Sequence, residues 1–189
     1  SKLIKPHIGI ITNIGEAHIE NFENIKGIAE AKAEIIESIK ENGTLLINRD
    51  DKFYNYLNKK AKLKKLKVVS FGKSRKSDIF PLKIVKGNSF TKLYLQVINE
   101  KIYLEIKNIN IHNILASLAV IKTLNLKLKK IKNIFKNLEA SEGRGKIHII
   151  SRYNKRFKLI DESYNANPLS VKNAIKNFNT IKKEKFKKY

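Results

Sequence analysis

The sequence predicts an α/β fold with a mainly parallel sheet, flanking helices and a small antiparallel ribbon, followed by the start of a second, Rossmann-like α/β domain. In the first part of the chain, short apolar runs alternate with amphipathic helical segments. Between residues 77 and 107 the pattern becomes β-rich. Further along the chain, two glycines at residues 143 and 145 interrupt the helical pattern. We therefore expect one domain at 1–140 and the beginning of another at 141–189.

The first elements are predicted to be strands separated by helices. The apolar runs at 7–11, 44–48 and 68–72 are typical of buried strands. Isoleucines at helical spacing predict a helix over about 22–41. A second helix, capped by Asp50 or Asp51, is expected to end near residue 60. Strands and helices that alternate in this way favour parallel strands joined by crossovers.

The elements after residue 77 are predicted from alternation and from turn residues. Asn99-Glu100 is a plausible hairpin turn between two β-rich segments. Pro168 is expected at the first turn of the last helix. In chain order, the predicted elements are strands at 79–85, 91–98 and 101–106, helices at 111–125 and 129–138, strands at 147–150 and 157–160, and a helix at 168–181.

The composition limits the classes of protein to consider. The chain has 189 residues, 42% of them hydrophobic, and no cysteine, so it can bury a core but has no disulfide or thiolate metal site. No apolar run approaches the roughly 20 residues that span a bilayer, which favours a cytoplasmic protein without membrane insertion.

The formal charge of +23 raises the alternative of a nucleic-acid-binding protein. Nearly all of this charge is lysine, whereas readers of bases and phosphates rely on arginine. The lysines are also spread along the whole chain. A solvated basic surface without a nucleic-acid partner is therefore the preferred interpretation.

A histidine and a lysine near the end of the first strand suggest a site. His18 follows the strand's carboxyl end, where open α/β sheets bind ligands. Lys32 lies in the apolar stripe of the first helix, midway between Ile25 and Ile39. Either its ammonium extends to solvent along an apolar stem, or carbon dioxide converts it to a carbamate that can bind a hard metal ion. The alternative for His18 is an ordinary polar turn residue.

Three later segments carry further polar candidates. Asn110 and Asn113, at the start of a helix, can cap it or can pair with a planar ring such as adenine. Arg144, between two glycines, is either a surface residue or a phosphate clamp. Asp161-Glu162 ends a predicted strand and could accept ribose hydroxyls, or it could belong to an ordinary turn that Asn167 closes as a helix cap.

Together these segments resemble the Mur ligase family, the ATP-dependent amide-forming ligases of peptidoglycan precursor synthesis. The resemblance covers essentially the whole chain and rests on TNIGEAHIENF with EAKAEI, on the asparagines before the helix, on Arg144 and on LIDESYNANP. The last segment resembles the branch of the family whose substrates are UDP-N-acetylmuramoyl-tripeptide and D-alanyl-D-alanine. Sister ligases and folylpolyglutamate synthases differ at the SYNANP positions.

The resemblance implies roles for individual residues. His18 and a carbamylated Lys32 would hold Mg²⁺, and Arg144 would contact the ATP phosphates; these three are the candidate catalytic residues. The residues implied to bind the nucleotide are Asn110, Asn113, Arg144, Asp161 and Glu162. Those implied for the signature loop are Tyr164, Asn165 and Asn167.

The chain departs from the family pattern at several points. Ile109 stands where a histidine is usual, and Glu162 replaces the commoner aspartate. The phosphate-binding loop GxxGK[ST] is absent from these residues. We therefore expect 1–140 to be the second half of a central ATPase domain and 141–189 the opening of a C-terminal domain, in an enzyme that is monomeric. The segment alone is expected to be inactive.

Overall fold

The structure is a computed structural model, and it describes residues 4–15, 22, 24–87, 90–107, 109–164, 166 and 168–180. The chain divides into two compact units, Ser1–Asn137 and Leu138–Tyr189. The predicted assignment of these parts to two domains of a larger ligase stays a prediction.

A single six-stranded sheet forms the centre of the first unit, with the strands in sequential order. Neighbours from β1 to β4 pair in parallel, and β4, β5 and β6 pair antiparallel. The predicted antiparallel ribbon is therefore confirmed, as a continuation of the parallel sheet. The strands are β1 (Ile8–Ile11), β2 (Thr44–Asn48), β3 (Lys67–Phe71), β4 (Ile79–Lys86), β5 (Thr91–Val97) and β6 (Glu100–Ile106).

Helices cover both faces of this sheet. Every residue of β2 is buried, because its side chains alternate between two cores. Leu45 and Ile47 pack with the apolar residues of α1 and α2, whereas Leu46 packs with those of α3 on the opposite face. The helices are α1 (Ile25–Ser38), α2 (Tyr54–Leu63), α3 (Ile111–Thr123) and, after a 3₁₀ turn at Leu128–Ile131, α4 (Lys132–Asn137).

Two local predictions were wrong. The hairpin between β5 and β6 turns at Ile98 and Asn99, one residue earlier than expected, and Ile98 has a φ of 54°. A branched side chain is unusual in that left-handed region, so the residue type did not reveal the turn. Helix α2 begins at Tyr54 after Phe53, which makes no side-chain cap. The aspartates predicted to cap it bind other backbone groups.

The second unit contains a hairpin and a helix. Strands β7 (Lys146–Arg152) and β8 (Lys155–Asp161) pair antiparallel around Tyr153 and Asn154, both with positive φ. Helix α5 (Pro168–Thr180) begins at the predicted proline. In the described ranges of this unit we find no parallel strand pair, so its Rossmann-like character stays a prediction.

Across the described part of the chain, no helix combines the length and the apolar character needed to cross a membrane.

Candidate functional site

Polar side chains meet at the carboxyl edge of the parallel strands, where α/β sheets of this kind bind ligands. The last residue of β2 and the three residues after it contribute most of them. We call Asn48–Asp51 the β2 exit segment. Its side chains bind the loop after β1, the loop after β3 and the first turn of α3.

The β2 exit segment holds the loop that follows β1. The side-chain amide of Asn48 donates to the carbonyl of Thr12 at 3.1 Å. The Oδ2 atom of Asp51 accepts from the backbone N–H of Ile14 at 2.6 Å, and its Oδ1 accepts from the N–H of Phe53 at 2.8 Å. Asp51 therefore links the loop after β1 to the start of α2, and it does so without capping the helix.

Asp50 makes the longer connections. Its carboxylate accepts the backbone N–H groups of Lys73 at 2.5 Å and Ser74 at 3.0 Å, both in the loop after β3. Its Oδ2 atom also lies 2.9 Å from Nε2 of His112, in the first turn of α3. A Cβ atom at Gly72 would lie 2.9 Å from this carboxylate, so the loop needs a glycine to approach it. Asp50 thus joins three segments that are distant in sequence.

These contacts lower the pKa of Asp50 below its ordinary value. Burial of the carboxyl group acts in the opposite direction, because it disfavours the charged form. The hydrogen bonds from the Lys73 amide, from His112 and from the Ser74 amide outweigh that effect. The carboxylate is therefore ionised at neutral pH, as an acceptor of three hydrogen bonds should be.

Lys32 lies at the same edge. It is half-buried, and its Nζ atom donates to the carbonyl of Asn13, in the loop after β1, at 2.9 Å. Of the two alternatives for Lys32, this geometry matches an ammonium that extends along an apolar stem, since the nitrogen reaches the loop after β1. His18, its predicted partner, lies outside the described residues. Within the described ranges, no three histidine or acidic side chains cluster closely enough to hold a metal ion.

The two asparagines before α3 have different positions. Asn110 is the N-cap, and its Oδ1 atom accepts from the backbone N–H of His112 at 2.9 Å. Asn113, in the first turn, is exposed. Capping therefore occupies the oxygen of Asn110, and the side chain of Asn113 faces solvent.

In the second unit, the glycine break and the loop after β8 come together. Asp161 accepts from the backbone N–H groups of Gly143 at 2.9 Å and Ser163 at 3.0 Å. The guanidinium carbon of Arg144 lies 4.0 Å from the centre of the Tyr164 ring. A side chain at Gly143 would clash with Tyr164, and the residue has a φ of 70°. Its neighbours thus require a glycine at this position.

The carboxylates of this loop differ in their surroundings. The pKa of Asp161 is lowered, first by hydrogen bonds from the side chain and backbone of Ser163 and then by the Gly143 amide. Glu162 is exposed. Asn165 and Asn167, predicted to complete the loop, lie outside the described residues.

The comparisons with known proteins identify the family. The model of the Mur ligase middle domain matches residues 1–124. The chain belongs to the Mur ligase family. Among its relatives, a UDP-N-acetylmuramoyl-tripeptide–D-alanyl-D-alanine ligase of Buchnera aphidicola is 33% identical over 93% of this chain. A UDP-N-acetylmuramate–L-alanine ligase of Borreliella burgdorferi is 29% identical over 92% of it.

Solved structures agree with this assignment. A crystal structure of MurF from Acinetobacter baumannii superposes with a TM-score of 0.81 and 26% identity, over 94% of this chain. The Mur ligase chain spans about two fifths of the length of these proteins, namely 38% of the Buchnera and Borreliella ligases and 38% of the Acinetobacter chain. The α/β fold predicted from the sequence is confirmed.

The site of this Mur ligase chain includes residues that the sequence reasoning missed. The sequence pattern does not single out His112, and it predicts Asp50 only as a possible helix cap. A signal was present, because two adjacent acidic residues stand two and three positions after the end of a fully buried strand. The same argument that selected His18 after β1 applies to Asp50 after β2.

We predict that Asp50→Asn makes the stability of the Mur ligase chain less dependent on pH in the acid range. Because the pKa is lowered by folding, the ionised carboxylate stabilises the folded state at any pH above its unfolded value of about 4, and this contribution disappears as the pH falls through the folded value. Urea unfolding at pH 7 should show the variant less stable by about 1–3 kcal/mol. The difference should shrink below about pH 4.

The matched control is Glu34→Gln, at an exposed carboxylate on α1. This control should unfold like the parent protein across the same range. A deficit for Asp50→Asn that stays constant with pH, or that is absent at pH 7, would contradict the role assigned to the carboxylate.

Proposed function

We propose that this chain is part of an ATP-dependent ligase that joins D-alanyl-D-alanine to UDP-N-acetylmuramoyl-tripeptide in peptidoglycan precursor synthesis. Membership of the Mur ligase family supports an amide-forming ligase. The observation that carries the choice of substrate is the LIDESYNANP segment, whose described part packs beside Arg144 in the second unit. The relative that shares 33% identity with the chain bears the name of this activity.

The proposed reaction has two steps. A carboxylate oxygen of the tripeptide attacks the γ-phosphorus of ATP, which forms an acyl phosphate and releases ADP. The amine nitrogen of D-alanyl-D-alanine then attacks the acyl carbon, which forms the amide bond and expels phosphate as the amine loses its proton. Such reactions depend mainly on positioning and on stabilisation of charge at the phosphoryl group.

We assign the nucleotide contacts to the exposed polar groups described above. Asn113 would face the adenine ring, while the oxygen of Asn110 caps the helix that carries both residues. Arg144 would contact the phosphates, and its stacking on Tyr164 supports this role because it limits the rotamers of a long side chain. Both oxygens of Asp161 accept backbone N–H groups, so Asp161 would shape the loop while Glu162 reaches the ribose.

We assign a Mg²⁺ ion to His18 and Lys32. The ion would supply positive charge that offsets the negative charge of the phosphates. Lys32 fits such a role only after modification, because an ammonium repels a cation and a carbamate provides anionic oxygens. Its nitrogen already lies at the carboxyl edge beside the carbonyl of Asn13, so the modified group would stand at the end of β1.

The choice of amine substrate is tested by a substrate panel. The protein at its natural length is incubated with ATP, Mg²⁺ and either UDP-N-acetylmuramoyl-tripeptide or UDP-N-acetylmuramate, and phosphate release is measured with D-alanyl-D-alanine, L-alanine or D-glutamate as the amine. We expect turnover with D-alanyl-D-alanine only. Turnover of L-alanine with UDP-N-acetylmuramate would favour the sister ligase, a relative of which is 29% identical to the chain.

The role of Lys32 is tested by Lys32→Ala in the natural-length protein. Loss of the metal-binding group should lower kcat by about a hundredfold, the size of effect seen when a charge-stabilising group is removed from an active site. Bicarbonate should partly restore activity to the variant, and ¹³C-bicarbonate should give the parent protein a carbamate signal by NMR.

Lys26→Ala is the control for Lys32→Ala. Lys26 lies on the same helix α1, but its side chain is 75% exposed, and we expect this variant to keep parental activity. Equal activities of Lys32→Ala and Lys26→Ala would contradict the metal-binding role of Lys32.

A further inference from the structure

We infer that His112 is a positioning residue, which holds the first turn of α3 so that Asn113 faces the nucleotide. The inference rests on the proposed function of that helix end. His112 lies between Asn110, which caps α3, and Asn113, which is assigned to the adenine, and the ring of His112 contacts Asp50. Nothing in the proposed reaction requires a histidine at this position.

The geometry of the contact supports a fixed linkage. Nε2 of His112 lies 2.9 Å from Oδ2 of Asp50, and the two side chains are only 30% and 27% exposed. An ionised carboxylate can only accept a hydrogen bond, so the proton between the two side chains lies on Nε2 of His112. Partial shielding from water strengthens a hydrogen bond to a charged group.

The same residue is held at its backbone. The N–H of His112 donates to Oδ1 of Asn110, which closes the N-cap of α3. The backbone N–H groups of Asn113 and Ile114 in turn donate to the carbonyl of Asn110. His112 therefore connects the capped turn, through its ring, to the end of β2.

Asp50 is a rigid partner for this connection. Two backbone N–H groups from the loop after β3, those of Lys73 and Ser74, fix its carboxylate. Its own backbone N–H donates to Oδ1 of Asn48, the last residue of β2, at 2.9 Å. The side chains of Asn48, Asp50 and His112 thus link this end of α3 to the sheet. The direction in which Asn113 faces the nucleotide depends on this link.

The experiment compares three variants of the natural-length protein. His112→Ala removes the tether, and His112→Gln keeps an N–H donor at a similar distance from the backbone. His7→Ala is the control, because His7 is an exposed histidine just before β1, at the opposite end of that strand. For each protein, kcat and KM for ATP are measured well below the unfolding temperature, together with amide hydrogen exchange of the first turn of α3.

We expect His112→Ala to raise KM for ATP about tenfold with kcat changed less than twofold, as for the loss of one hydrogen bond to a charged group. Exchange at the amides of His112 and Asn113 should accelerate. His112→Gln should restore both properties to near-parental values, and His7→Ala should leave both unchanged.

Three other outcomes have distinct meanings. An unchanged KM for ATP in His112→Ala, in a parent protein that binds ATP, overturns the positioning role alone. Equal losses in His112→Ala and His112→Gln also overturn it, because they show that the ring shape matters and the hydrogen bond does not. A parent protein that binds no ATP overturns the proposed function, and the positioning role falls with it.

Discussion

The hydrogen bonds accepted by the carboxylate of Asp50 are the constraint on which the candidate site depends. In a parallel sheet, each strand ends at the same edge, and each is followed by a loop whose direction the sheet itself does not set. Here one side chain at the end of β2 accepts from the loop after β3 and from α3. Its neighbour Asp51 fixes the loop after β1 in the same way. Four segments are thereby held in one arrangement by two adjacent carboxylates.

Within each unit, the carboxylates that hold backbone segments differ from the exposed polar residues that are proposed to contact the nucleotide. The carboxylates of Asp50, Asp51 and Asp161 all accept hydrogen bonds from backbone N–H groups. Asn113 and Glu162 are exposed. Such a division would suit the proposed enzyme, because the groups proposed to contact the nucleotide are then held by neighbours that do not themselves react.

Much of the fold could be predicted from local pattern. The limits of β2 were predicted correctly because five consecutive residues are buried on both faces, and the start of α5 was predicted correctly from Pro168. The hydrogen bonds of Asp50 could not be predicted in this way, because its partners Lys73 and His112 lie 23 and 62 residues away. Neither a hydrophobic period nor a turn motif links residues at such separations. Ile98 shows the same limit at a turn, where the hairpin imposes a left-handed conformation on a residue that disfavours it. Lys32 is predicted from its place in the apolar stripe of α1 and Asn113 from its place at the start of α3, and their roles stay predictions. Asp50 is predicted to cap α2, whereas its carboxylate accepts from the amides of Lys73 and Ser74.

The most direct test of this account is a crystal structure of the natural-length protein with ADP and Mg²⁺. The account predicts that the Asp50 carboxylate stays within hydrogen-bonding distance of the amides of Lys73 and Ser74 and of His112 Nε2, with the adenine ring beside Asn113. An adenine bound away from the first turn of α3, or a His112 ring turned from Asp50 in the nucleotide complex, would contradict it.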